Sequence, residues 1–177
     1  MTHQILIAGF GGQGVLFSGK FLAYAGMLAG KQVTWLPYYG PEMRGGTANV
    51  SVIISDDSIG SPVIARPTTL IAMNGPSFDM FEEKAAAGGK IFLDSTLVER
   101  PSRRTDADAF RIPATQLAAD NGIAKLSNMI IIGKLIRETG ICSMDDARKA
   151  MEKTVPARKL EMLEDNMKAI EIGYNYK

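Results

Sequence analysis

Cysteine and histidine occur once each among the 177 residues, as Cys142 and His3. An internal disulfide needs two thiols, and an iron–sulfur cluster normally takes four cysteinates, so both are excluded within this chain. One imidazole and one thiol also leave too few soft ligands for an ordinary zinc or copper site, and no metal site is expected, although counting leaves a carboxylate site for Mg²⁺ open. Charge of one sign is missing too: 20 Lys and Arg face 19 Asp and Glu, for a net +1. Without a basic footprint, binding to a nucleic acid backbone is not expected. Long apolar runs are absent as well. No segment approaches the ~20 residues that span a bilayer, and Met1-Thr2-His3-Gln4 leads into a strand without a signal peptide. With a free cysteine, the expectation is a cytoplasmic protein.

What is present is ordinary for a globular protein: 46% hydrophobic and 22% charged residues. No repeat, low-complexity stretch or long linker divides the chain, so residues 1–177 are expected to form one domain. Ile5-Leu6-Ile7-Ala8 reads as a strand that ends in Gly9-Phe10-Gly11-Gly12-Gln13-Gly14, and an apolar helix follows from Val15 to Ala29. That helix carries Lys20 as its only charge and several small residues, so it should be buried on more than one side. Gly30 closes it, and Gln32 to Leu36 reads as a second strand, expected to pair in parallel with the first.

Pro37 to Gly46, with two prolines and three glycines, reads as an irregular loop. Val50, Val52 and Ile54 alternate along a further strand. Thr69 to Met73 is another, followed by a helix from Pro76 to about Ala87 and the strand Lys90 to Leu93. Pro101 to Asp108 reads as an exposed connection and Phe110-Arg111-Ile112 as a short strand. The rest is helical: Thr115 to Asn121, Ser127 to Thr139 stopped by Gly140, a helix opened by the capping box at Ser143, and a last one opened by Pro156. The expected architecture is α/β, Rossmann-like, with a mostly parallel sheet, flanking helices and a helical C-terminal part.

Gly9, Gly11 and Gly14 match G-x-G-x-x-G between a strand and a helix, where free amides and the helix dipole favour an anion. With Gly12 and Gln13 they form the candidate phosphate turn; the alternative is that the glycines only let helix and sheet approach. A stand-alone NAD(P)-binding oxidoreductase would add an acid at the end of the second strand, and none occurs before Glu42. His3, ahead of the first strand, is read as a surface residue, and Cys142, between two helices, as a packing residue whose nucleophilic use would need a nearby histidine. The ten methionines read as core or interface filler. Glu42 and Arg44, flanking Met43, are candidates for contact with a ligand or another chain; the alternatives are a surface ion pair or a purely structural interaction module.

Ile7 to Val15 together with Tyr39-Gly40-Pro41-Glu42-Met43-Arg44-Gly45-Gly46-Thr47-Ala48-Asn49 resembles the gamma subunit of 2-oxoacid:ferredoxin oxidoreductases. Ile59 to Pro62, Leu70 to Asn74, and Asn128-Met129 with Gly133 agree, so the resemblance runs from about Ile5 to the last helix. It implies a Rossmann-like subunit without catalytic residues or cofactors of its own. The complex converts a 2-oxoacid and coenzyme A (CoA) to acyl-CoA and CO₂ and reduces ferredoxin. Alpha, beta and ferredoxin-like subunits of the same complex hold thiamine diphosphate, Mg²⁺ and iron–sulfur clusters. The turn Gly9 to Gly14 is then a candidate for the phosphates of CoA, and Tyr39, Glu42, Met43, Arg44 and Asn49 for a substrate loop or interface. The Pro41 to Gly46 loop looks more like the 2-oxoglutarate and branched-chain types than the pyruvate type, with 2-oxoglutarate placed first.

Overall fold

Ile5-Leu6-Ile7-Ala8, Leu70-Ile71-Ala72 and Ile91-Phe92-Leu93 are apolar at every position, which suits strands covered on both faces. In the computed structural model, which describes residues 1–39 and 47–177, these are the central strands of one six-stranded sheet. The strands are β1 (Thr2–Phe10), β2 (Gln32–Tyr39), β3 (Thr47–Ser55), β4 (Thr69–Ala72), β5 (Lys90–Asp94) and β6 (Asp108–Ile112), ordered β2-β3-β1-β4-β5-β6. β1, β4, β5 and β6 pair in parallel, and β3 runs antiparallel to both of its neighbours, β1 and β2. Five of the six strands therefore share one direction, the mostly parallel sheet expected.

The expected parallel pairing of the first two strands does not occur. β2 runs in the same sense as β1, but β3 lies between them, with Ala8 opposite Asn49 on one side and Tyr38 opposite Asn49 on the other. Residues 40–46 alone lie between β2 and β3, too few for the crossover that a parallel pair needs, so the two strands pair antiparallel. Placing β3 inside the sheet buries Val50, Val52 and Ile54, which an edge position would leave half covered. The first residues of the expected loop are strand instead: Pro37, Tyr38 and Tyr39 belong to β2, where a proline is tolerated because β2 is the sheet edge. Residues 40–46 lie outside the described residues.

Helices α1 (Val15–Leu28), α3 (Ala114–Asp120), α4 (Ser127–Thr139), α5 (Met144–Thr154) and α6 (Leu160–Asn175) join the main core, which takes Ile5, Ile7, Val50, Val52, Ile71 and Phe92 from the sheet. α1 is enclosed as its composition predicts: only Lys20, Met27 and Leu28 are exposed, and it packs on β2, β3, α4 and α5. Gly19 and Gly26 allow this approach, since a Cβ on Gly19 would stand 2.7 Å from Val50 Cγ1. The alternate positions, Leu6, Ala8, Leu70, Ala72, Ile91 and Leu93, face a thinner layer built on Phe78 and Phe81 of α2 (Gly75–Phe81).

α2 is shorter than the helix expected to reach Ala87, tightening into a 3-10 turn at Glu82–Lys84. Its end is held by the connection expected to be a bare exposed link. The Glu82 carboxylate, only 2% exposed, accepts from Ser102 Oγ and the Arg103 N–H at 2.7 Å each, and Arg104 donates to the Glu82 and Ala85 carbonyls. Burial works against the charge on Glu82, but these donors and Arg100 outweigh it and hold the pKa below the ordinary value. Pro156 lies in a turn whose carbonyl accepts from the Lys159 N–H, so α6 opens four residues later than expected, at Leu160.

Candidate functional site at the head of helix α1

The two motifs that carry the resemblance meet on neighbouring strands: Gly9 stands opposite Ala48 and Phe10 opposite Thr47. From there the chain turns through Gly11, Gly12 and Gln13 into α1. Gly12 has φ +95° and Gly14 φ +75°, both in the left-handed region that glycine enters without steric cost. Gly14 is the N-cap of α1; no side chain caps the helix and its first turn holds no acid. The N–H groups of Val15, Leu16 and Phe17 therefore keep the positive end of a 14-residue helix without an internal partner.

The Gln13 side chain is engaged within the fold. Its Oε1 accepts from the Phe10 N–H at 2.7 Å and from Asn74 Nδ2 at 2.8 Å, and its Nε2 donates to the Met73 carbonyl at 3.2 Å. The side chain thus ties the turn to the end of β4 and is spent on shape. Asn74 completes the link, since its Oδ1 caps α2 by accepting from the Ser77 N–H. Gly9 is required by the same packing, because a Cβ there would lie within 3 Å of Gln13, Met73 and Val15.

Two further residues come from far along the chain. Asn128, at the start of α4, donates from Nδ2 to the Gly14 carbonyl at 3.2 Å and to Ser18 Oγ at 3.0 Å. Asn166 of α6 stands beside it, and both line a cavity of about 110 Å³ with Gly12, Gly14, Phe17 and Lys125. The cavity continues along Gly122 to Leu126 and Met162 as a groove of about 410 Å³. Asn128 carries a signal in the sequence, as part of the resemblance. Asn166 carries none, since its place on α6 becomes meaningful only once α4 and α6 cross.

The remaining candidates lie elsewhere. Asn49 opens onto the other face of the sheet, lining a depression of about 440 Å³ with Tyr38, Met80 and Lys84. Tyr39 ends β2 opposite Ala48. Glu42, Met43 and Arg44 lie outside the described residues. His3 is inside β1 rather than ahead of it, opposite Ile54 and about 20 Å of strand away from Gly9; burial lowers its pKa. Cys142 is half-buried, and burial pushes its thiol up to about 12, so no thiolate forms near neutrality. Among the described residues no three His, Cys, Asp or Glu side chains converge on a point. These residues do not fit an iron–sulfur cluster, and no redox step is assigned to them.

The model of the family described as pyruvate ferredoxin/flavodoxin oxidoreductase matches residues 4–176. The ketoisovalerate oxidoreductase subunit VorA of Methanothermobacter thermautotrophicus is 37% identical over 172 residues, 96% of this chain but 35% of that one, so the chain spans about a third of this relative's length. The 2-oxoglutarate synthase subunit KorC of Methanothermobacter marburgensis is 36% identical over 163 residues, 88% of each chain. In fold, the gamma subunit of a keto/oxoacid ferredoxin oxidoreductase from Geobacter sulfurreducens superposes with a TM-score of 0.82 at 29% identity, covering 97% of this chain and 96% of its own. No helix among the described residues is long and apolar enough to cross a membrane. The chain belongs to the pyruvate ferredoxin/flavodoxin oxidoreductase family, in the part of it that gamma subunits form.

Proposed function

We propose that this chain is the gamma subunit of a cytoplasmic 2-oxoglutarate:ferredoxin oxidoreductase, and that the turn Gly9 to Gly14 holds phosphate oxygens of CoA. The observation that carries the ligand part is the head of α1: a left-handed glycine N-cap, no capping side chain and no first-turn acid. Such an end attracts an anion without any basic side chain. Gly11 and Gly12 are exposed there, so a phosphate can approach the backbone. 2-Oxoglutarate is placed first because the KorC relative matches this chain over 88% of both lengths.

In this reading alpha, beta and ferredoxin-like subunits hold thiamine diphosphate, Mg²⁺ and iron–sulfur clusters, and ferredoxin takes the electrons. Thiamine diphosphate supplies the carbanion-stabilising chemistry that cleaves the 2-oxoacid. This chain contributes position: Gln13 and Asn74 hold the turn against β4, and Asn128 holds Gly14 against α4. A nicotinamide enzyme is not favoured. The strand beside β1 on its parallel side is β4, which ends at Ala72 and is followed by Met73-Asn74 without an acid for a ribose, and β2 is separated from β1 by β3.

Purification of the native complex through a tag on this chain tests the assignment. Co-purification of thiamine-binding and cluster-binding subunits, with ferredoxin reduction that requires both 2-oxoglutarate and CoA, is expected. A chain that purifies alone and binds NADH or NADPH tightly would overturn it.

A further inference from the structure

The sheet has two edges, and they are finished differently. β6, at one edge, is five residues long and carries Asp108, paired with Lys90, and Arg111, whose guanidinium donates to the carbonyls of Val98, Glu99 and Arg100. A short, charged edge keeps other strands away. β2, at the other edge, is eight residues long and holds no charge. Its Trp35, Leu36 and Tyr38 are 41%, 39% and 65% exposed. Pro37 lacks an N–H, so β2 is a poor template for backbone pairing, and what it offers a neighbour is side chains.

Those side chains divide between two faces. Val33 and Trp35 turn toward α1, beside Gly26 and Gly19, and α1 covers β2 and β3 there. Leu36 and Tyr38 take the opposite face, next to Ser51 and Asn49. On that face α2 packs along β1 and β4 and stops short of β2 and β3. The gap is the depression of about 440 Å³, with buried Leu6 and Phe81 beneath it and exposed Tyr38 and Met80 at its rim. Half-buried Thr47, Asn49 and Ser51 add polar groups, and Lys84, 4.9 Å from the Phe81 ring centre, is the one charged residue lining it among those described.

A mostly parallel sheet is covered on both faces, and the covering layer is helical. The stretch that α2 leaves open fits a helix from another chain, apolar where it meets Leu36, Tyr38 and Met80, and acidic where it meets Lys84. A second copy of this chain does not fit. A two-fold contact sets each surface against itself, so hollow would face hollow, and no acid lines the depression among the described residues to meet Lys84. The VorA relative gives the scale of a partner: this domain matches 35% of it, so about two thirds of that polypeptide lies beside the matched part.

We propose that the depression between β2, β3 and α2 docks an amphipathic helix of the alpha subunit, which brings a carboxylate to Lys84. The proposal rests on the reading that this chain is a gamma subunit, and it assigns that subunit a contact face on the side of the sheet away from α1.

The test uses the native complex purified through a tag on this chain. With Tyr38 replaced by the photo-crosslinker p-benzoylphenylalanine, irradiation should join this chain to the alpha subunit. An adduct with a second copy of this chain, or no adduct in the assembled complex, would overturn the proposal. Lys84→Glu should lower the alpha subunit retained through a salt wash about tenfold, because it sets two acids against each other. Lys84→Arg keeps the charge and should retain the subunit fully. Full retention in Lys84→Glu, or an equal loss in both variants, would overturn the proposal. If the unsubstituted chain brings down no thiamine-binding subunit, the gamma-subunit reading fails and the proposal with it. If that subunit comes down and Tyr38 crosslinks to nothing, the docking face fails alone.

Discussion

Glycine is used for opposite ends at the head of α1 and at the crossing of α4 with α6. At the head of α1, Gly12 and Gly14 take positive φ and leave backbone amides open. At the crossing, Gly133 and Gly173 are helical and remove side chains altogether: a Cβ on Gly173 would meet the Ile130 carbonyl oxygen, and one on Gly133 the Ile170 carbonyl oxygen. There the two helix backbones touch, and nothing is left for a ligand. The pair teaches that a glycine marks a site only when its backbone faces open space. Gly12 meets that condition, with nothing within 4 Å of an added Cβ, whereas Gly14 meets it in part, since Asn128 stands against it.

Substitution can break this contrast. The largest effect is expected for Gly173→Val, whose side chain would collide with backbone that cannot move aside; a loss on the order of 3–5 kcal/mol is expected in denaturant unfolding. Gly14→Ala comes next. It adds left-handed strain to a collision with Asn128 and should cost roughly 2–3 kcal/mol, with weaker CoA binding in the complex. Gly12→Ala has the strain without the collision, about 1–2 kcal/mol, and a thermal melt that placed it level with Gly14→Ala would erase the distinction between them.

Acid supplies the smallest effect and a control outside both regions. Because the folded state holds the Glu82 carboxyl below its ordinary value of 4.5, its contribution is complete above that pH and is lost as pH falls through the lowered value. Glu82→Gln should therefore flatten the acid limb of stability against pH below 4.5, while the glycine variants shift the whole curve without changing its shape. An unaltered acid limb in Glu82→Gln would remove Glu82 as its cause.

Local signals were legible where local chemistry decides. α4 runs from Ser127 to Thr139 as its spacing predicts, because Gly140 at φ +62° ends it, and Ser143 opens α5 by accepting from the Asp146 N–H. The glycine turn was equally legible, lying between an apolar strand and an apolar helix. The place of β3 was not, because alternation along Val50, Val52 and Ile54 says which face is buried and nothing about which neighbours a strand takes. The knot at Glu82 was hidden for a similar reason: its partners Ser102, Arg103 and Arg104 look like any polar connection until α2 ends beside them. The second half of the candidate site escaped because Asn128 lies 114 residues from Gly14, and Asn166 reaches the cavity only through the glycine crossing of α4 and α6. The two glycine regions are thus linked, one setting the asparagines that face the other.

The central claim, that the open turn before α1 meets the phosphates of CoA, is tested most directly by the KM for CoA in the intact complex with Gly11→Asp. Gly11 is exposed, so the complex should assemble and melt as before. A rise of about tenfold or more in that KM is predicted, corresponding to about 1.4 kcal/mol of lost binding. An unchanged KM in a fully assembled complex would contradict the account.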